Sequence, residues 1–426
     1  MSIEELYEKF NNSSGITTDS RKITKDCIFF SLRGSNFNGN EFAESAVNKG
    51  AMYAIIDEKK YLSNNDKYIL VNDSLEALQN LANFHRKKLN TKIIGITGSN
   101  GKTTTKELIS CVLKTKFNCY STKGNLNNHI GVPLSILEIS NKTEIAVIEM
   151  GANHLGEIQL LSKIAEPNYG LITNFGIAHI EGFGSEENVI KGKCELYNFL
   201  TKNSGLIFFN TDDEKQKRIL SKYKNKFGFG KKGSDLNYFV KTNHPNIEIN
   251  VNGNIIQSTL FGNYNVQNIV SAVSIGHYFG VEFDNIKKAI SSYTSVNNRS
   301  QILIKNNNKI ILDAYNANPT SMLLAIKSFE KSGLKNKTII LGDMYELGEN
   351  KNKFHQEIID YCERLDVNKI FLVGEIFSLT KYSEKFISVK NYIELSQIKE
   401  FTKINNSNYL IKGSRAMQLE KIVKYI

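Results

Sequence analysis

Apolar runs and amphipathic stretches alternate along this chain in a repeated strand-then-helix order. Short apolar runs at Ile28–Leu32, Ala51–Asp57 and Lys67–Val71 predict strands, and Glu41–Gly50 predicts a helix. The run Lys92–Thr97 is mostly apolar, as in a strand covered on both faces; a turn through Gly98–Gly101 and a helix over Thr103–Lys116 follow it. Further buried strands are predicted at Ile145–Glu149, Tyr169–Asn174 and Gly205–Asn210. From Lys231 to Leu260 polar and apolar residues alternate around Asn252-Gly253, a hairpin pattern, before an apolar helix over Val266–Phe279. A boundary falls near Ser291–Asn298. Strands then recur at Lys309–Asp313, Thr338–Gly342, Lys369–Val373 and Tyr409–Lys412, with helices at Pro319–Lys331, Lys353–Arg364 and Arg415–Lys424. The pattern therefore predicts an α/β protein of three domains: a small N-terminal α/β domain (1–90), a central doubly wound sheet (91–296) and a C-terminal Rossmann-like domain (297–426).

Composition narrows the class. A chain of 426 residues suits two or three domains, and 41% hydrophobic with 23% charged residues is an ordinary globular balance. The start, MSIEELYEKFNN, is acidic and lacks a signal-peptide core, and no stretch approaches the ~20 apolar residues of a membrane span. A cytoplasmic protein is expected. Five scattered cysteines without a CxxC pair suggest neither a disulfide framework nor a zinc site. The net charge of +11 comes from lysines spread over every segment rather than from one basic stripe.

The strongest chemical signal is Gly98-Ser99-Asn100-Gly101-Lys102-Thr103-Thr104, placed between a buried strand and a helix. Glycines free backbone amides to face phosphate, the helix points its positive end at the anion, Lys102 offsets phosphate charge and the Thr103 hydroxyl suits magnesium. The spacing departs from the common phosphate loop, since Ile96 stands where its first glycine would be. Glu149 ends an apolar strand at the carboxyl edge where ligands of open α/β sheets collect, and it reads as a magnesium ligand or as an acid satisfied by nearby amides. His179 sits in the Gly-rich loop Ala178–Gly184, a position compatible with a ligand or with a plain polar residue. Cys194 has no neighbouring histidine and does not read as a catalytic thiol.

Taken in order, these pieces resemble the Mur ligases. Thr97–Thr104 resembles that family's shortened phosphate loop. Gly124–Pro133, Glu149–His154 and Ala178–Gly184 are similar to the branch that adds D-alanyl-D-alanine to UDP-N-acetylmuramoyl-tripeptide. Asp19-Ser20-Arg21 and Phe30–Gly34 resemble a uridine-diphosphate-binding N-terminal domain. Asp313–Pro319, Leu341–Gly348 and Lys412–Arg415 resemble C-terminal signatures of the same branch, and no DNPR-like run of the diamino-acid-adding branch occurs.

The resemblance implies an ATP-dependent carboxylate–amine ligase working through an acyl phosphate. It implies ATP contacts from Gly98, Ser99, Asn100, Gly101, Lys102, Thr103, Thr104, Asn265, Asn268, Arg299 and Asp313. Thr103, Glu149 and His179 are implied as magnesium ligands, with Lys193 carrying a carbamate. Lys102, Lys193, His179 and Glu149 are the catalytic set, and Ser20, Arg21, Asn125, Asn128, Asn316 and Asn318 meet the uridine-linked substrate or the incoming dipeptide. An unmodified Lys193 at ~4 Å from a divalent cation would be repelled by several kcal/mol at an effective dielectric of ~20, and a carbamate reverses that sign. Tyr264 stands where a histidine often precedes the asparagine, and Asn298 where a glycine often precedes the arginine.

The expected partners are ATP, the UDP-linked tripeptide and the dipeptide, with no nucleic acid, no membrane span and a monomeric chain. The alternatives are a diamino-acid-adding Mur ligase, a folylpolyglutamate synthetase-like ligase or, in a different class, a P-loop ATPase that binds nucleic acid. The last would need a basic stripe with stacking aromatics, and none is concentrated on one element.

Overall fold

The computed structural model describes residues 1–242, 246–402, 404 and 406–426. Three sheets carry the chain. In the N-terminal part Ile16–Thr17, Ile28–Phe30, Tyr53–Ile56 and Tyr68–Leu70 pair in parallel in that spatial order, with the helix Ala43–Asn48 against them. The sequence pattern overlooked the helix Ser74–Lys88, which Asp73 caps by accepting from Glu76 N at 2.8 Å. Its buried Leu78, Leu81 and Ala82 share one apolar core with Ile28, Phe30 and Ile55 on one side and Val132, Ile136 and Leu161 on the other. Arg86, on the same helix and 7% exposed, donates to Ala165 O at 2.9 Å and Glu166 O at 3.0 Å. Two parallel-sheet units are thus joined through one helix, which buries apolar side chains against both.

The central sheet has nine strands. Cys119–Ser121, Ile145–Glu149, Lys92–Thr97, Tyr169–Ile172, Leu206–Asn210, Lys226–Gly230 and Leu236–Thr242 lie side by side and parallel. Ile247–Val251 and Asn254–Ser258 extend the edge antiparallel, joined by the left-handed pair Asn252 (φ 51°) and Gly253 (φ 86°). The hairpin read over Lys231–Leu260 lies here, its residues 243–245 outside the described set. The helix Asn265–Tyr278 is buried along most of its length against the phosphate-loop helix Lys102–Leu113.

In the C-terminal part six strands are ordered Gln301–Lys305, Asn308–Asp313, Asn408–Lys412, Lys337–Gly342, Lys369–Val373 and Phe386–Val389, all parallel except the first. The predicted helix over Arg415–Lys424 is not α-helical. It forms two 3-10 segments, Arg415–Met417 and Leu419–Tyr425, separated by left-handed Gln418 (φ 51°). Leu419 and Ile422, three apart, are both buried, and a three-residue turn puts such a pair on one face.

The junction before this sheet is bent through left-handed Asn297, Asn298 and Ser300 (φ 65°, 59° and 50°). It is not a free linker. Phe261 belongs to the C-terminal core beside Phe329, and Tyr264 Oη meets Ser300 Oγ at 2.6 Å.

Candidate active site

The phosphate loop owes its shape to two glycines. At Gly98 (φ 142°) a Cβ would fall 2.0 Å from Thr173 Oγ1, and at Gly101 (φ 80°) 2.5 Å from Asn268 Oδ1. Only glycine fits either position without moving its neighbours. The helix begins at Lys102 with no side-chain cap, so its first amides are left for an anion. Lys102 folds back, donating to Gly98 O at 2.8 Å and Ser99 O at 3.3 Å. Burial holds its pKa below the usual lysine value, the nearby Glu149 works against that shift, and Arg299 adds to it. Asn100 is fixed by its backbone: its N donates to Asn174 Oδ1 at 3.1 Å and its O accepts from Thr173 Oγ1 at 2.6 Å.

Glu149, 1% exposed, lies under this loop. Its Oε1 accepts from Thr103 Oγ1 at 3.1 Å and from Asn127 Nδ2 at 2.7 Å, while Oε2 has no hydrogen bond and faces Lys106 Nζ at 3.6 Å. Of these partners only Thr103 was singled out from the sequence. Lys106 could have been found, since a lysine three residues after Thr103 shares its helix face.

Two other predicted residues are placed less simply. His179, in left-handed backbone (φ 54°), has Nδ1 2.5 Å from Glu346 Oε2 of the C-terminal part, without the alignment of a good hydrogen bond. The His179 contact holds the Glu346 carboxyl below its usual pKa. Lys193 is fully buried on the helix Glu186–Lys202, donates to Ala152 O at 3.0 Å and lies 5.0 Å above the Phe183 ring. Burial, then the charge of Lys102, brings its pKa down to about 7.

Across from the loop stand residues of the C-terminal part. Arg299 stacks on Tyr315, its guanidinium carbon 3.6 Å from the ring centre. Asp313 and Lys412 are opposite each other at the ends of adjacent parallel strands and pair at 2.7 Å, and Asp313 also accepts from Ser300 N at 3.1 Å. Lys412, 2% exposed, was quoted in the sequence only as part of a run. Asn318 caps the helix Pro319–Glu330 and donates to Asn100 Oδ1 at 2.8 Å, linking that helix to the phosphate loop. Asn316 is exposed, with its backbone O held by Lys412 at 3.1 Å.

These groups surround one cleft of about 1320 Å³ between the central and C-terminal parts. Ser99 through Thr104, Asn125, Asn128, Glu149, His179, Asn265, Asn268, Arg299, Asp313 and Asn316 all line it. Gly98, Lys193 and Asn318 sit behind its wall, and no lining residue precedes Ser99, so Ser20 and Arg21 lie elsewhere. Asn128 Oδ1 also accepts from Ile130 N at 3.2 Å and Gly131 N at 2.8 Å, just before the helix Gly131–Leu137. Asn268 has both amide ends engaged: Oδ1 accepts from Thr105 Oγ1 at 3.0 Å and Nδ2 donates to Asn265 Oδ1 at 2.8 Å. Among the described residues no three His, Cys, Asp or Glu side chains form a metal cluster, and no helix is long and apolar enough to cross a membrane.

A phosphate loop on one wall, a cationic residue on the other and a carboxylate buried between them suit phosphoryl transfer rather than nucleophilic hydrolysis. Comparison with known proteins fixes the family. Residues 12–86 match the Mur ligase family catalytic domain, 96–276 the Mur ligase middle domain and 298–406 the Mur ligase glutamate ligase domain. The chain belongs to the Mur ligase family. This Mur ligase is 36% identical to the UDP-N-acetylmuramoyl-tripeptide--D-alanyl-D-alanine ligase of Bacillus subtilis (strain 168), over 96% of the chain and 92% of that relative. Its fold is similar to MurF from Acinetobacter baumannii (TM-score 0.88, 27% identity, 99% and 98% of the two chains). It is likewise similar to MurF ligase from Thermotoga maritima in complex with ADP (TM-score 0.86, 26% identity, 96% of each chain). As in other Mur ligases, three α/β domains follow one another along the chain.

Proposed function

We propose that this Mur ligase joins D-alanyl-D-alanine to UDP-N-acetylmuramoyl-tripeptide with consumption of ATP, forming the pentapeptide precursor of peptidoglycan. The observation that carries this reading is the similarity to ligases of that reaction over 96% of the chain, together with a cleft whose walls suit ATP. A carboxylate is a poor electrophile. Transfer of the γ-phosphoryl group to the tripeptide carboxylate gives an acyl phosphate, the dipeptide amine attacks its carbonyl, and phosphate leaves.

The chain's own groups serve that sequence by holding charge. Lys102 and the first amides of its helix take the β- and γ-phosphates, and Arg299 meets the transferring group from the opposite wall. Thr103 and Glu149 suit magnesium: the Thr103 hydroxyl donates to Glu149, leaving its lone pairs for a cation, and Glu149 Oε2 is a buried oxygen without a hydrogen bond. His179 and a carbamate on Lys193 complete the proposed ligand set. Magnesium bound there would neutralise the developing phosphate charge. Burial brings the Lys193 amine well below the usual lysine value, which favours the neutral form that takes up carbon dioxide.

In the 1–90 domain the uridine diphosphate site is assigned to Ser20 and Arg21. Asp19 grips Arg21 through Nε and Nη2, both at 2.9 Å, and this bidentate bond takes the Asp19 pKa down to about 2. The remaining donors of the exposed guanidinium are left for a phosphate. The 91–296 domain holds ATP, and the 297–426 domain presents the dipeptide, with Asn316 and Asn318 near it. The reading places the protein in the cytoplasm as a monomer, since one chain supplies both walls of the cleft.

The test is ADP release with UDP-N-acetylmuramoyl-tripeptide and each of D-alanyl-D-alanine, D-alanine, a diamino acid and L-glutamate as acceptor. Turnover with the dipeptide alone is expected; turnover with a different acceptor reassigns the branch. ADP release stimulated by single-stranded DNA instead would revive the nucleic-acid ATPase.

A further inference from the structure

We propose that Lys106 is a positioning residue for the nucleotide's metal, acting through Glu149; the proposal rests on the ATP–magnesium reading above. Helix geometry places Thr103 and Lys106, three residues apart, on the same face of Lys102–Leu113, and both reach the same carboxylate. Thr103 Oγ1 donates to Oε1 at 3.1 Å, and Lys106 Nζ lies 3.6 Å from Oε2. Asn127 holds Oε1 from the opposite side at 2.7 Å, and the Glu149 backbone N donates to Thr122 Oγ1 at 3.0 Å. The carboxylate is thereby fixed in position and in rotation.

Among the described residues each of the two charges has the other as its ion-pair partner. Lys106 is 2% exposed and Glu149 1%, and Glu149 is the carboxylate within ion-pair reach of Lys106 among the described residues. Oε2 in turn accepts no hydrogen bond. Glu149 lines the cleft whereas Lys106 does not, so a role of Lys106 in the cleft runs through the carboxylate. Without it the buried Oε2 has no partner among the described residues. Such a carboxylate is free to rotate towards its remaining donors, Thr103 and Asn127, and away from the cation.

An ion pair that merely stabilised the core predicts a loss of stability with metal dependence unchanged. The positioning role predicts a specific change in how metal affects nucleotide binding. The measurement is the dissociation constant of β,γ-methylene-ATP with Mg²⁺ and with EDTA, for the wild-type chain, Lys106→Met, Glu149→Gln and the double variant. Their folding is checked by thermal unfolding. The wild-type chain binds more tightly with Mg²⁺. In Lys106→Met that advantage shrinks about tenfold, the scale of losing one charge-assisted contact, while affinity in EDTA stays unchanged. The double variant, in which neither buried charge remains, folds well and has the metal dependence of Glu149→Gln alone. Should Lys106→Met misfold, the double variant and Glu149→Gln still decide the matter: a further loss of metal dependence on adding Lys106→Met overturns the proposal. Full retention of the Mg²⁺ advantage in a folded Lys106→Met chain overturns it as well. A wild-type chain indifferent to Mg²⁺ sinks the metal reading itself, and the proposal with it.

Discussion

At the scale of single residues, two lysines carry opposite expectations. Lys102 rests on the carbonyls of Gly98 and Ser99 and forms no ion pair among the described residues, so its loss should leave the fold nearly intact. Lys102→Ala is expected to lower ADP release by about 10²–10³-fold while changing stability by no more than ~0.5 kcal/mol. Near-normal turnover would defeat the phosphate-loop reading. Lys193 is buried with one carbonyl partner and an aromatic ring beneath it, a setting that favours the neutral amine. Lys193→Ala should be inactive and partly restored by acetate, which can supply the missing carboxylate oxygens, whereas Lys191→Ala should behave as the wild-type chain. An active Lys193→Ala protein would remove the carbamate from the proposed mechanism.

At the scale of elements, the helix Pro319–Glu330 has two tasks at its first turn. Asn318 accepts from Ser321 N at 2.9 Å as a cap, and its amide donates across the cleft to Asn100. Asn318→Ala should therefore cost ~1 kcal/mol of stability as a lost cap and, by freeing Asn100, weaken ATP binding by about 2- to 10-fold. Chemical unfolding and nucleotide titration measure the two separately; a stability loss with ATP affinity unchanged would make the contact with Asn100 incidental. Most of these elements could be read from periodicity, since Lys369–Val373 and Pro319–Glu330 carry the apolar spacing of their class. The buried residues of Ser74–Lys88 recur on one face (Leu78, Leu81, Ala82 and His85), so that helix was legible in its spacing and was overlooked, whereas 3-10 winding after Ser414 depends on where Leu419 and Ile422 must pack.

For the whole molecule, the proposed mechanism puts the chemistry in the cleft between two domains. Arg299→Ala should lower turnover by about 10²-fold or more with little change in stability. Asp313→Ala should lower both, because Lys412, 2% exposed, loses its partner and an unpaired buried charge costs ~3–5 kcal/mol. Wild-type kinetics in both variants would require abandoning the interdomain nucleotide site. Stability should also depend on acidity. His85 and His355 are buried, and burial lowers the pKa of each. The unfolded chain then binds more protons between those lowered values and ~6.5, so stability is lost as pH falls through that window. Urea unfolding at pH 7.5 and pH 5 should show the drop, and a His85→Gln, His355→Gln double variant should flatten it; an equal drop in the variant would place its origin elsewhere.

What the sequence determined by itself was local: strand-turn-helix order, the glycines of Gly98–Gly101 and the acid ending Ile145–Glu149 follow from residue type and spacing within one short segment. Tertiary structure alone decided which distant residues meet. Lys412 reaches Asp313 because parallel register aligns two strand ends from opposite ends of the C-terminal domain, and Glu346 reaches His179 because two domains face each other. It also decided the state of the charges: scattered lysines look alike in sequence, yet Lys106 and Lys193 are buried while Lys191 is exposed, and only burial with a named partner distinguishes a site lysine from a solvated one.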